Sequence, residues 1–271
     1  ATLHINKYEP PITVNVDDIK VDGTAVVTLT VPKDVLGNVT IEIDGVKYNK
    51  TATNGEAVFY IPGLTAGNKT VTATYAGDKW FVFNSTTDQF KVTKHNSTVN
   101  VTTKDIKVGE TARINITGPA DFNGTAKVTI NGTVYSVTLT DGVGHVDVSN
   151  LANGTYHINV TYVENGKYLE SFNDSAVLVV SKWDKDSFEF TAHVIRNITL
   201  GEAAIINVTL PSDATGNVTI KVAGITKTFA VMGGENEVII LNIPVGEYNV
   251  TVTYNGNDKY APANATDRIK V

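Results

Sequence analysis

The sequence predicts an all-β protein built as three two-layer sandwiches in tandem, and three observations carry that expectation. Val and Thr lead the composition while long unbranched helix formers are scarce, Gln89 being the single Gln; β-branched side chains pack well on a pleated surface and lose freedom in a helix. One block recurs with a period near 90 residues, as Gly37-Asn-Val-Thr-Ile-Glu-Ile-Asp-Gly45, Gly124-Thr-Ala-Lys-Val-Thr-Ile-Asn-Gly132 and Gly216-Asn-Val-Thr-Ile-Lys-Val-Ala-Gly224. Thirty-eight positions after its first Gly, each copy reaches a Tyr (Tyr75, Tyr162, Tyr254) that ends a second strand. Such identical spacing in three copies marks an array of homologous domains. Within a block the residues alternate, Val39, Ile41 and Ile43 to one side and Asn38, Thr40 and Glu42 to the other, as a half-buried strand requires.

In the first copy the alternation places strands at 12–16, 25–31, 39–43, 46–52, 57–61, 69–75 and 89–92, each bounded by Gly, Asn, Asp or Pro. Seven short strands in about ninety residues is the size of an immunoglobulin-like sandwich. With no Cys in the chain, packed aliphatic side chains hold the two sheets together without the disulfide usual in antibody domains. Leu3-His-Ile-Asn-Lys7 matches Phe90-Lys-Val-Thr-Lys94 and Leu178-Val-Val-Ser-Lys182. The expected domains are therefore 1–94, 95–182 and 183–271, with residues 1–7 reading as the last strand of a preceding copy in a longer array. Uniform domains joined by short linkers are expected to form an extended rod.

Several function classes are excluded at this level. A net charge of −6 with Lys and Arg thinly spread offers no footprint for nucleic acid. No apolar run approaches the roughly 18 residues of a membrane helix, and the N-terminus lacks the basic and apolar regions of a signal peptide, so any leader or anchor is expected outside this sequence. Absence of Cys removes thiol nucleophiles and zinc-cysteine sites. The five His (His4, His95, His145, His157, His193) are scattered without ligand spacing, and no Gly-x-Ser-x-Gly or phosphate-cradling loop occurs. Asp17-Asp18 and Asp22, matched in the second copy by Lys104-Asp105, read as solvated loop charges rather than an acid/base pair. No catalytic residue is assigned.

The stretches Thr74-Tyr-Ala-Gly-Asp-Lys-Trp80 and Thr253-Tyr-Asn-Gly-Asn-Asp-Lys-Tyr-Ala-Pro262, each followed by a polar closing strand, resemble the last hairpin of bacterial Ig-like repeat domains. With the GNVTI-type strands and the abundance of Asn and Thr, the chain is similar to the repeats of adhesin-like surface proteins of methanogenic archaea. The middle copy departs from the hairpin pattern, reading Tyr162-Val-Glu-Asn-Gly-Lys-Tyr168 without the Asp. The resemblance implies an extracellular, envelope-displayed segment without catalysis, acting as an adhesin or stalk toward surface proteins or glycans of other cells. The alternative is an accessory spacer array of an envelope-attached carbohydrate-active enzyme.

Seventeen of the 26 Asn stand in Asn-x-Ser/Thr, where random placement gives roughly four, and that motif marks glycan acceptors in exported proteins. Alternation in strands generates Asn-Val-Thr unaided, so turn sites weigh more. Asn84, Asn153 and Asn173 lead, with Asn38 and Asn217 as further candidates.

Three other features stand out. The second junction is five residues longer than the first and carries Asp184, Asp186 and Glu189, oxygen ligands that suit Ca²⁺, although Lys185 between the two Asp argues against it and a plain linker with Trp183 packed on a neighbouring domain is the competing reading. Trp80-Phe-Val-Phe83 places Trp80, Phe81 and Phe83 in the closing loop of the first copy, suited either to stack on a ligand or to fold back on the sandwich. Gln89 is a candidate partner for an ester crosslink or a plain surface residue, and Lys-Asn crosslinks have many candidate pairs.

Overall fold

The computed structural model of the chain describes residues 6–271, so most of the segment read as an inherited strand lies outside the described residues. The chain forms two compact units. One holds the chain up to Val99 with Gly118–Ala126 and Thr161–Phe172; the other holds Asn100–Thr117, Lys127–Val160 and Asn173–Val271.

The first unit contains a complete sandwich of eight strands: β1 (Thr13–Val16), β2 (Ile19–Lys20), β3 (Thr24–Thr30), β4 (Asn38–Ile43), β5 (Val46–Thr51), β6 (Glu56–Pro62), β7 (Gly67–Tyr75) and β8 (Asn84–Thr93). One sheet runs β1-β3-β6 and the other β2-β8-β7-β4-β5. Their inner faces meet through the alternate residues the sequence marked, among them Ala25, Val27, Leu29, Val39, Ile41, Val71, Ala73 and Tyr75, all essentially without exposure. Between β4 and β5 the chain turns at Asp44-Gly45, both at positive φ (51° and 79°). That is the twist a two-residue hairpin needs, and Asn131-Gly132 supplies it again (50° and 74°).

The predicted first strand, 12–16, is β1, and a short strand that the alternation did not mark, β2, follows it. β1 pairs antiparallel with β3, whereas β2 pairs parallel with β8 in the opposite sheet. At the switch, the Asp88 carboxylate accepts the Val16 N–H (3.1 Å) and the Asp18 carboxylate accepts the Lys91 N–H (2.6 Å). Asp105 does the same for the Val179 N–H (2.9 Å). Asp18 and Asp105 are therefore fasteners between first and last strands, not the free loop charges expected, because backbone donors left open where a strand changes sheets must find acceptors.

The middle sandwich comprises β9 (Asn100–Thr102), β10 (Ile106–Lys107), β11 (Ala112–Thr117), β12 (Gly124–Ile130), β13 (Thr133–Leu139), β14 (Val143–Val148), β15 (Gly154–Tyr162) and β16 (Ser171–Ser181), with sheets β14-β11-β9 and β10-β16-β15-β12-β13. The parallel pairing of β10 with β16 repeats that of β2 with β8.

The third sandwich departs from the expected seven strands. A 3₁₀ turn at Lys185–Ser187 precedes β17 (Thr191–Val194), β18 (Ala204–Val222), β19 (Ile225–Ile240), β20 (Glu247–Tyr254) and β21 (Ala263–Lys270), all in one continuous sheet. β18 and β19 each fuse two strands that are separate in the earlier copies. They turn the corner where residues 211–214 of β18 oppose Gly233 alone, the register shifting between Leu210 and Thr215. A Cβ on Gly233 would fall 2.0 Å from the Ser212 carbonyl oxygen, so the corner requires glycine. The chain is thus a tandem array of three Ig-like β-sandwiches.

The alternation along β15 yields a test. Val160 is fully buried whereas Thr161 is partly exposed. Val160→Ala is expected to cost on the order of 2 kcal/mol through lost burial and the cavity left, a large share of a marginal stability. Thr161→Ala is expected to change the middle melting transition little, and calorimetry giving equal shifts for both would refute the register.

Candidate functional site

The most elaborate side-chain chemistry lies where one sandwich hands over to the next, and it starts from a single residue type. Three positions after each repeated Tyr stands an Asx residue, Asp78, Asn165 or Asn257. Its side-chain oxygen accepts two successive backbone N–H groups: Trp80 and Phe81 in the first copy (2.7 and 2.8 Å), Lys167 and Tyr168 in the second (2.9 and 2.8 Å), Lys259 and Tyr260 in the third (both 2.8 Å). The middle copy departs in sequence but keeps this hydrogen-bond geometry. Asn165 does the work of Asp78, because the geometry needs a short side-chain acceptor and not a charge.

Burial opposes ionisation of Asp78, but the N–H groups of Trp80, Phe81 and Leu36 outweigh it and hold the carboxyl at about 2. The neighbouring Tyr75 hydroxyl is pushed up to about 12, first by burial and then by Asp78. It donates to the Leu36 carbonyl (3.1 Å), as Tyr254 donates to that of Thr215 (2.8 Å).

Each closed hairpin captures the residue that precedes its own sandwich. His95 donates its N–H to the Lys167 carbonyl and accepts the Leu169 N–H, both at 2.9 Å. Trp183 pairs in the same way with Lys259 and Ala261 (2.9 and 2.8 Å), and Tyr8 with Trp80 and Val82 (3.0 and 2.9 Å). The rings then reach back to the sandwich before. In the first unit the His95 Nε2 lies 2.9 Å from the Val21 carbonyl oxygen. In the second unit the Trp183 indole N–H donates to the Val108 carbonyl at 3.0 Å, and Val21 and Val108 stand at corresponding positions just after β2 and β10.

Ionic contacts complete the two joints. Asp121 receives Lys167 Nζ and the Tyr168 hydroxyl on separate oxygens, both at 2.5 Å, and Lys167 also pairs with Asp22. Asp213 receives Lys259 and Tyr260 correspondingly (2.5 and 2.6 Å). The Lys167 and Tyr168 donors hold the Asp121 carboxyl at about 2, and Asp121 with Asp22 pushes the Lys167 ammonium above its ordinary range. Such an arrangement fixes geometry; it presents no nucleophile beside a base.

The residues singled out in the sequence fall into different places. Asp184 is engaged by Ser187 and by Lys107 Nζ (3.3 Å), which lower its pKa. Among the described residues no three His, Cys, Asp or Glu gather as metal ligands, so Asp184, Asp186 and Glu189 are not brought together. Trp183 does pack, against the core of the third sandwich, and with Phe188, Asp213 and Tyr260 it lines a pocket of about 400 Å³. Phe81 folds onto the first core, whereas Trp80 and Phe83 stay exposed. Gln89 is exposed on β8 opposite Thr70. Asn84 and Asn173 lie within strands, not turns, since the closing strands begin earlier than the alternation suggested, and the Asn84 side-chain amide donates to the Pro10 carbonyl (2.8 Å). Asn153 sits exposed in a bend, Asn38 exposed at the start of β4 and Asn217 exposed in β18.

No family model matches the chain. Solved structures similar to it include a 1.5-MDa bacterial ice-binding adhesin studied for host cell surface retention, 19% identical over 98% of this chain and 100% of that one at a TM-score of 0.36. Another is a variant of titin domains I67–I69, 12% identical over 98% and 99% at a TM-score of 0.35. A third is a Bacteroides ovatus mixed-linkage glucan utilization protein, SGBP-B, in complex with a heptasaccharide, 16% identical over 94% and 65% at a TM-score of 0.22.

The Asp121 cluster makes the first joint sensitive to acid. A carboxyl whose folded pKa lies near 2, below its ordinary 3.8, contributes stability that is present above about pH 4 and is lost as the pH falls toward 2. Protection of the Tyr168 amide, taken relative to the intrinsic exchange rate at each pH, is therefore expected to fall across that window. Asp121→Asn is expected to start from lower protection and to show a flatter acid profile; an unchanged profile would remove Asp121 from the joint.

Proposed function

We propose that this chain is a non-catalytic, load-bearing segment of a cell-surface adhesin or stalk, displayed outside the cell toward surface proteins or glycans of other cells, with sandwich boundaries near residues 94 and 182. The observation that carries the reading is the repeated capture of a linker residue by the hairpin of its own sandwich, with its ring bonded back to the sandwich before. A spacer needs defined joints, and here the joints absorb the chain's most constrained polar side chains. The parallel pairs β2 with β8 and β10 with β16 support the same reading. They join first and last strands, so tension applied through the two ends of a sandwich loads them in shear, where the bonds must break together. Among the described residues no helix is long and apolar enough to cross a membrane.

Single-molecule stretching tests the mechanical claim and the boundaries. Three unfolding events are expected, each releasing on the order of 300 Å from about ninety residues, with Asp18→Ala lowering the force of the first sandwich. A single event, or release lengths unrelated to ninety residues, would defeat the proposal.

Surface display also predicts glycans on native material. Asn153 and Asn38 are expected to be occupied because both are exposed, and Asn84 is expected to be bare because its amide is engaged. Glycopeptide mass spectrometry reads all three; finding every sequon bare would leave strand alternation as the source of the motif.

A further inference from the structure

The third sandwich departs from the repeat at two places, and the two meet. Its Asp213, Tyr254, Lys259 and Tyr260 follow Asp121, Tyr162, Lys167 and Tyr168 of the middle copy at a constant spacing of 92 residues, but the same spacing carries Phe122 to Ala214. In the middle copy the fully buried Phe122 ring packs on Tyr162, with centroids 3.6 Å apart, and lies 6.1 Å from Tyr168. Ala214 leaves that place without a ring. The lengthened second junction supplies one from another part of the chain: just past the 3₁₀ turn at Lys185–Ser187, the Phe188 ring stands edge-on to Tyr260 at 4.9 Å and to Tyr254 at 6.4 Å.

The replacement is incomplete. Phe188 sits nearer the second Tyr of its pair than the first, the reverse of Phe122, and it is only half-buried. Beside it opens the pocket of about 400 Å³, walled by Trp183, Ser187 and Glu189 of the junction and by Ser212 and Asp213 of the β18 corner, with Lys259 between them. All of these residues belong to the second compact unit. The volume is that of a small-molecule site.

The lining sets the chemistry of what fits. The Trp183 indole N–H is bonded to the Val108 carbonyl (3.0 Å) and the Tyr260 hydroxyl to Asp213 (2.6 Å), so these rings, with Phe188, offer the pocket carbon. Polar groups surround them: the carboxylates of Asp213 and Glu189, the hydroxyls of Ser187 and Ser212, and the Lys259 ammonium. Lys259 and then Tyr260 hold the Asp213 pKa below the ordinary carboxylate range. Each Asp213 oxygen accepts one bond from these partners (2.5 and 2.6 Å) and keeps a further lone pair for a ligand. A cation is disfavoured, because Lys259 already fills the position between carboxylate and ring, its ammonium 5.2 Å from the Tyr260 centroid. An anion would face two carboxylates, and an aliphatic ligand would leave the polar groups unpaired. The remaining class is a neutral molecule with several hydroxyls and an apolar face, which describes a pyranose ring.

We propose that this pocket binds a neutral pyranose, the terminal sugar of a glycan, with its C–H face on Trp183 and Phe188 and its hydroxyls donating to Glu189 and Asp213. The proposal rests on the reading of the chain as a surface segment, which supplies the glycan, and it places the contact on the third sandwich. The site holds one ring and is open to solvent through exposed Glu189 and Ser212, so its affinity is millimolar.

The chain has two Trp, so in a Trp80→Phe background the fluorescence of Trp183 alone reports on the pocket. That chain is titrated to about 50 mM, a range that covers millimolar affinity, with the methyl glycosides of glucose, galactose, mannose and N-acetylglucosamine, and separately with choline as a cationic probe. A saturable change is expected with at least one glycoside. Glu189→Ala, which removes an acceptor, and Ser212→Phe, which fills the pocket, are each expected to weaken it at least fivefold. Both positions are exposed, so unchanged melting curves establish that the variants remain folded. No saturable change with any glycoside, saturation by choline alone, or undiminished sugar binding in both variants would overturn the proposal. In each of those cases three unfolding events on stretching would leave the stalk reading standing, so the two fail separately.

Discussion

The oxygen of an Asx side chain, placed three residues after a buried tyrosine, is the interaction on which the joints of this protein rest. By holding two successive N–H groups it closes the hairpin between the last two strands of each sandwich. The closed hairpin then offers the backbone pair that captures Tyr8, His95 or Trp183. Without it the linker residue would have no fixed acceptor and donor, and its ring would not be aimed at the preceding turn. A charged Asp and a neutral Asn serve equally, since the bonds are made by a lone-pair geometry that both side chains share.

The architecture was legible because burial in a sandwich writes itself as a period of two. The alternate positions of β4, β7 and β15 are the buried ones, and the repeat of ninety residues kept their spacing visible. The short strand β2 after the first strand was not legible. Val16-Asp-Asp-Ile19 reads as the end of a strand followed by charges, and only the folded chain shows that Asp18 must satisfy the Lys91 N–H in the other sheet. Fusion of strands in the third copy was hidden for a similar reason. Pro211 and the Gly233-Gly234 pair are residue types that usually interrupt strands, yet here they form a corner that keeps the ladder continuous.

At the joints, sequence reading was misled by residue identity where position mattered. Asn165 looked like the loss of an Asp, and Asp184 and Asp186 were weighed as cation ligands against a plain linker. The informative signal was a set of offsets: an Asx three residues past each Tyr, and an Asp three residues before each repeated Gly, at 34, 121 and 213. The first copy keeps Asp34 but replaces the Lys and Tyr partners with Trp80 and Phe81. Its hairpin is the same backbone device with a different surface.

The capture of each linker by its own sandwich also bears on the order in which the chain takes shape. His95 is held by the carbonyl of Lys167, and Trp183 by that of Lys259, partners some seventy-odd residues downstream. During synthesis from the N-terminus, a finished sandwich therefore emerges with a loose tether behind it, and the tether is gripped only when the next domain has made its final hairpin. Neighbouring domains of similar sequence thus complete their own cores before any joint can lock them together, a sequence of events that separates folding from assembly along one chain.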